Sequence, residues 1–240
     1  NLSYLQYLYF KFKTIKVKGN NKKIYSKISS KKIDLSKKYI FCALQYQPEK
    51  STNPLGKIFQ NQFLMIEMLS KSIPDDWVIY VKDHPSQFVI DYTRYGDFFR
   101  GKNFYKKIKS LKNCSLVPLE TNSFDLIDNS ICIASITGTI CWEAVVRGKW
   151  SLVFGDSWLK GCEGILEVHK NDDLIKYIKL ISGHKKIDIN KVKLFAHTVD
   201  SLGFKAAVGG IIHLNRINIS PIENANVHFK AFNWLLKNSH

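Results

Sequence analysis

From residue 39 onward, short apolar runs alternate with stretches of helical periodicity. Residues 39–45 (YIFCALQ) predict a buried strand. Phe59, Phe63, Ile66, Leu69 and Ile73 then recur at three- and four-residue spacing, which predicts an amphipathic helix stopped by Pro74. Residues 77–81 (WVIYV) form a second strand, and 104–111 a basic helix. A strand at 114–117, a short helix near 124–127, a strand at 131–134, a helix over 140–146 and a strand at 150–154 continue the alternation. Strands that are apolar along their whole length belong to a parallel sheet covered on both faces. Residues 39–160 thus predict a Rossmann-like α/β unit with helices on both faces. C-terminal helices are expected at 172–181, 189–196 and 222–236, which extends the domain over 39–240.

Composition changes this picture at one end only. The chain has 240 residues, 45% hydrophobic and 23% charged, which is ordinary for one globular domain. No apolar run approaches the roughly 20 residues of a membrane-spanning helix. The first ten residues lack the basic start and small-residue cleavage site of a signal peptide, and the missing initiator Met suggests trimming from a longer protein. The formal net charge is +16, yet residues 1–38 hold eleven Lys and one acid, Asp34, for a local +10. The remaining 202 residues carry only +6. This start reads as a Lys-rich lead-in or the remnant of an N-terminal domain. Its first interpretation is a solvated linker, and its second is peripheral contact with an anionic membrane surface. Nucleic acid is disfavoured: the whole chain has four Arg (94, 100, 147, 216), and no zinc-finger, RRM or helix-turn-helix signature occurs.

Five widely spaced cysteines (42, 114, 132, 141, 162) without a C-x-x-C pair fit a reducing cytoplasm and inert buried thiols. The seven His show no metal-ligand spacing and D-x-D is absent, so no metal is expected.

In an open parallel sheet, ligands bind at the carboxyl ends of the strands. Three such ends here are polar: Gln45-Tyr46-Gln47-Pro48-Glu49 with Ser51-Thr52-Asn53-Pro54, then Lys82-Asp83-His84-Pro85, then Ser135-Ile136-Thr137-Gly138-Thr139 leading to Glu143. Gly138 lets the backbone approach a ligand, Thr137 and Thr139 offer hydroxyls, and the next helix presents free N–H groups suited to an anion. Glu143 lies one turn further on the same face, placed for ribose hydroxyls. Equally, Thr139 serves as a helix cap and Glu143 as a favourable charge on the helix dipole, together worth ~1 kcal/mol. Pro85 holds His84 toward an extended conformation, so the imidazole can project past the sheet edge to a phosphate. Gln47-Pro48-Glu49 either adds an amide and a carboxylate to that crevice or is a simple turn.

Four stretches in order and at matching spacing resemble the bacterial capsule polysaccharide synthesis family, the cytoplasmic Kdo transferases and their relatives. They are LQYQPEKSTNPLG (44–56), WVIYVKDHP (77–85), NFYKKIKSLKNCSLVP (103–118) and SITGTICWEAVVRGKWSLVFG (135–155). The likeness covers about residues 39–170. Asp83 stands where that family often has Glu, and Trp150 where it has a small residue or Pro. The resemblance implies one half of a GT-B fold, a metal-independent glycosyltransferase without cofactor, and a nucleotide-sugar donor such as CMP-Kdo. It also implies a glycan or lipid-linked glycan acceptor, and a cytoplasmic setting, at the inner face of the membrane if the Lys-rich start binds there. His84 and Pro85 match the motif that contacts the nucleotide phosphate. Ser135, Thr137, Gly138 and Thr139 match the hydroxyl-bearing loop, with Gln47 and Lys82 beside it and Glu143 the acidic residue of the next helix. A GT-B enzyme needs a second domain, which usually supplies the catalytic carboxylate; within this chain Glu49 is the candidate, alongside His84. Two rivals remain: a nucleotide-sugar epimerase on the same architecture, and a non-catalytic nucleotide-binding module.

Overall fold

The computed structural model describes residues 3–49, 51–89, 100–101, 103–183, 185–207 and 218–238; Arg94 and Arg216 lie outside them. It divides into two compact units, Asn1–Val192 and Lys193–His240.

The first unit holds a six-stranded parallel sheet, built from β1 (Tyr39–Ala43), β2 (Val78–Lys82), β3 (Cys114–Leu116), β4 (Cys132–Ser135), β5 (Trp150–Val153) and β6 (Ile165–Glu167). Their order is β3-β2-β1-β4-β5-β6, that of a doubly wound α/β fold. In register, Ile40 of β1 stands beside Ile79 and Cys132, and Cys42 beside Val81 and Ala134.

Alternation along these strands feeds two cores. Ile40, Cys42, Ile79, Val81, Cys132 and Ala134 face one side, packed with α2 (Gln62–Ser72), α3 (Phe104–Ser110) and α6 (Asn171–Ser182). Tyr39, Phe41, Tyr80 and Ile133 face the other, under α4 (Ser123–Asn129) and α5 (Ile140–Val146). Burial on both faces is why the strands read as unbroken apolar runs. Pro74 holds Ile73 extended at φ −86°, ψ 153°, and α2 ends at Ser72.

Two elements depart from the expected pattern. The Lys-rich start is not an open linker. It forms helix α1 (Tyr4–Ile28), begun by a capping box in which Ser3 Oγ accepts from Gln6 N and Gln6 Oε1 accepts from Ser3 N. Thr14, Lys18, Asn21 and Tyr25 are its buried residues, at helical spacing. Tyr25 hydroxyl donates to Val117 O, and Asn21 Nδ2 to Arg100 O at 2.9 Å. The other departure is β6, a three-residue half-buried strand that pairs with β5 alone.

The unit boundary falls inside α7 (Ile189–Leu202). The second unit contains α8 (Pro221–Asn238), which has no buried residue; Asn224 exchanges hydrogen bonds with the Ala207 backbone at 2.7 and 3.1 Å. No described helix is long and apolar enough to cross a membrane.

Candidate functional site

The chain leaves β1 toward α2 on one face of the sheet and leaves β4 toward α5 on the other. Neighbouring strands that exit to opposite sides open a crevice at their carboxyl ends. A cleft of about 690 Å³ occupies that place, lined from β1 by Ala43–Tyr46, Glu49 and Ser51, from β2 by His84 and Ser86, and from β4 by Ser135 and Thr137–Ile140. Trp158, from the loop after β5, is 54% exposed and adds an aromatic wall.

Polar groups in the floor tie the two exits together. Thr137 N donates to Gln45 Oε1 at 2.8 Å, and Gln45 Nε2 donates to Thr137 Oγ1 at 3.0 Å. Gln45 Nε2 also reaches Glu49 Oε2 at 3.3 Å, so one amide orients both a loop hydroxyl and the cleft's carboxylate. Ser135 Oγ donates to Ala43 O at 3.0 Å, fixing β4 against β1 from within. A Cβ on Gly138 would come 2.9 Å from that hydroxyl, which is why the turn needs glycine. Thr139 has helical dihedrals, φ −60° and ψ −19°, and its side chain makes no capping hydrogen bond. The capping role open to it in the sequence is therefore not taken. Cys141 N donates to Gly138 O and Glu143 N to Thr139 O, each at 3.1 Å, so the start of α5 closes on the loop itself, and Thr139 and Ile140 line the cleft.

His84 is extended at φ −69°, ψ 128°, and starts the turn Pro85–Phe88. Its Nδ1 accepts from Ser86 N at 3.2 Å, so the neutral ring carries its proton on Nε2. The Tyr46 ring lies 6.4 Å away, edge to face.

Beneath His84 lies a buried polar network. The Asp83 carboxylate accepts from Arg100 Nε and Nη2, both at 2.9 Å, from Tyr105 hydroxyl at 2.7 Å, and from His84 N at 2.8 Å. Arg100 also donates to Gln47 Oε1 and Gln45 O, each at 2.9 Å. Burial works against the Arg100 charge; the Asp83 carboxylate outweighs it and raises the guanidinium pKa. Burial, reinforced by Asp83, pushes the Tyr105 phenol far up, so it remains a hydroxyl donor.

The structure thus brings Glu49, His84, Ser135, Thr137, Gly138 and Thr139 to one cleft and sends four other expected site residues elsewhere. Gln47 is committed to the scaffold: its amide nitrogen donates to Gln60 O at 2.6 Å and its oxygen accepts from Arg100. Lys82 is buried with Nζ donating to Thr121 O and Ser123 Oγ, and desolvation lowers its pKa. Pro85 sets the His84 turn without lining the cleft. Glu143 sits half-buried on α5, also outside the lining. Gln45, Tyr46 and Ser51, which the sequence places in a polar strand end without roles of their own, also line the cleft, as does Trp158, which lies outside every candidate segment. Gln45 carries a usable signal, since it lies just past the end of β1 and two residues before Gln47; Trp158 has no motif around it. Among the described residues no cluster of three or more His, Cys, Asp or Glu is placed to hold a metal ion.

Fold and site together define a doubly wound α/β unit with a polar cleft at its strand-order switch point. No protein-family model and no curated protein sequence matches the chain. Among solved structures it is similar to UDP-GlcNAc 2-epimerase from Methanocaldococcus jannaschii at 16% identity and TM-score 0.45, over 75% of this chain and 49% of that one. It is also similar to the Thermosulfurimonas dismutans KpsC beta Kdo 2,7 transferase at 17% identity and TM-score 0.43, over 71% and 49%. A third is UDP-GlcNAc 2-epimerase from Neisseria meningitidis bound to UDP-GlcNAc, at 18% and 0.43, over 78% and 53%. The chain spans about half the length of each. Likeness of this degree assigns no activity, and the functional reading rests on the cleft.

Proposed function

We propose that this chain is the nucleotide-sugar-binding half of a glycosyltransferase of surface-polysaccharide biosynthesis. The observation that carries the proposal is the meeting of three separate strand ends, bearing His84, Glu49 and the Thr137-Gly138-Thr139 loop, around one cleft. The donor phosphate lies between the His84 Nε2–H and the amides of Gly138 and Thr139 with the Thr139 hydroxyl, while Thr137, bonded to Gln45 and Ser51, supports the loop. An acceptor hydroxyl attacks the anomeric carbon, the bond to the phosphate oxygen breaks, and the nucleotide departs with the electron pair. His84 and the loop amides stabilise the charge gathering on that phosphate. Glu49 is the chain's candidate for receiving the acceptor proton. The sequence resemblance favours a CMP-linked keto-sugar acid as donor, a glycan or lipid-linked glycan as acceptor, and a cytoplasmic setting.

A second reading, binding without transfer, has one feature in its favour: Glu49 is the sole carboxylate among the described residues lining the cleft. Calorimetric titration with CMP, UDP and GDP tests binding. His84→Ala removes a hydrogen bond to a charged group, worth about 1.5–3 kcal/mol, so affinity should fall roughly 10- to 100-fold. Binding of no nucleotide, or binding indifferent to the substitution, removes the proposal. Saturable binding without transfer to any glycan acceptor supports the module. UDP preference with isomerised sugar product supports an epimerase.

A further inference from the structure

At about 100° per residue, the buried Thr14, Lys18, Asn21 and Tyr25 of α1 share one face, turned to the domain. The opposite face carries a single stripe: Leu5, Tyr9 and Phe12, then Lys16, Lys23 and Lys27. Leu5, Tyr9 and Phe12 are 77%, 58% and 68% exposed, and the three lysines are exposed as well. The stripe is about 33 Å long, apolar and aromatic over its first turns and cationic beyond. No acidic residue precedes Asp34.

We infer that α1 is a docking helix for an anionic phospholipid surface. Tyr and Phe rings with a Leu suit the boundary between hydrocarbon and headgroups, and lysines over the headgroups attract anionic lipid. A nucleic acid is the poorer partner on two grounds. Residues 1–38 contain no Arg to fork a phosphate, and half of the stripe is apolar. A protein partner is disfavoured too, because the unbroken positive charge of this segment makes a field without a pattern of signs to read. The face away from the stripe is anchored, with Tyr25, Asn21 and Lys18 bonded to Val117, Arg100 and Val89, so the stripe is held outward. That inner face also packs on the Pro85–Phe88 turn that follows His84, so a bound surface stands close to the cleft's own framework. Such proximity suits a lipid-linked acceptor, but the docking itself does not depend on which nucleotide the cleft binds.

The test is co-sedimentation of the 240-residue chain with large unilamellar vesicles, either neutral phosphatidylcholine or phosphatidylcholine with phosphatidylglycerol. Binding is expected to the anionic vesicles only and to weaken with added salt. The triple variant Lys16→Gln, Lys23→Gln, Lys27→Gln should lower the partition coefficient by roughly a hundredfold, at about fivefold per lysine. Leu5→Ser, Tyr9→Ser, Phe12→Ser should abolish stable binding. All six positions are exposed, so circular dichroism and thermal melting should match the parent. Failure to sediment with anionic vesicles, equal binding to neutral ones, unchanged binding by both variants, or a preference for RNA over anionic vesicles would each overturn the inference.

Discussion

Arg100 shows how a cleft depends on residues outside its lining. Its guanidinium is fully buried, pairs with Asp83, and reaches Gln45 and Gln47, so it joins the β1 and β2 exits that form two sides of the cleft. Removing one partner of a buried pair strands the other charge. Arg100→Met should therefore cost about 3–5 kcal/mol in urea unfolding, and the double variant with Asp83→Leu markedly less. A single variant as stable as the parent would contradict this view of the network. His84 was legible in the sequence because a His-Pro pair after an apolar strand has a local geometric meaning. Arg100 was not: its partners lie 17, 53 and 55 residues away, and only the fold brings them together. Gln47 and Lys82 were misplaced for the same reason, since sequence shows that a polar side chain ends a strand but not what it bonds.

At the scale of elements, apolar periodicity located the strands and helices from β1 to β5 within a residue or two, and α5 to the residue, except that α2 starts three residues late because Phe59 belongs to a separate turn over Lys57–Gln60. It failed on α1 because the face turned to the domain carries Thr14, Lys18 and Asn21 beside Tyr25, so no apolar stripe marks the buried side. Lys18, Asn21 and Tyr25 attach α1 instead, donating to the backbone oxygens of Val89, Arg100 and Val117. Tyr25 donates to Val117 O and accepts from Asp83 N at 3.2 Å, both buried. Tyr25→Phe should therefore cost about 1–3 kcal/mol, measured by denaturant unfolding, by leaving both backbone groups short of a partner. β6 escaped because three half-buried residues after a glycine-rich turn carry no period. The loop after β5 gives a further check. A Cβ on Gly155 would lie 2.8 Å from Leu55 O and 2.8 Å from Thr137 Cγ2. Gly155→Ala should thus displace the Thr137 loop and weaken nucleotide binding, read by calorimetry, although Gly155 is not itself in the lining.

Across the whole molecule, the five cysteines are free and buried, and burial raises their thiol pKa values, to about 12 for Cys114 and Cys141 and about 11 for Cys162. Unfolded thiols ionise near 9, so above that pH the unfolded chain binds fewer protons than the folded one. Stability from this source is complete below pH 9 and is lost as pH rises toward those folded values; the urea midpoint should fall above pH 9. The nucleotide reading is tested most directly by two-dimensional ¹H–¹⁵N NMR during titration with CMP and UDP. The amides of Gly138 and Thr139 and the imidazole of His84 should shift together and saturate at one stoichiometric equivalent. Shifts absent at millimolar nucleotide, or confined to residues away from the β1, β2 and β4 ends, would show that the cleft is not a nucleotide site.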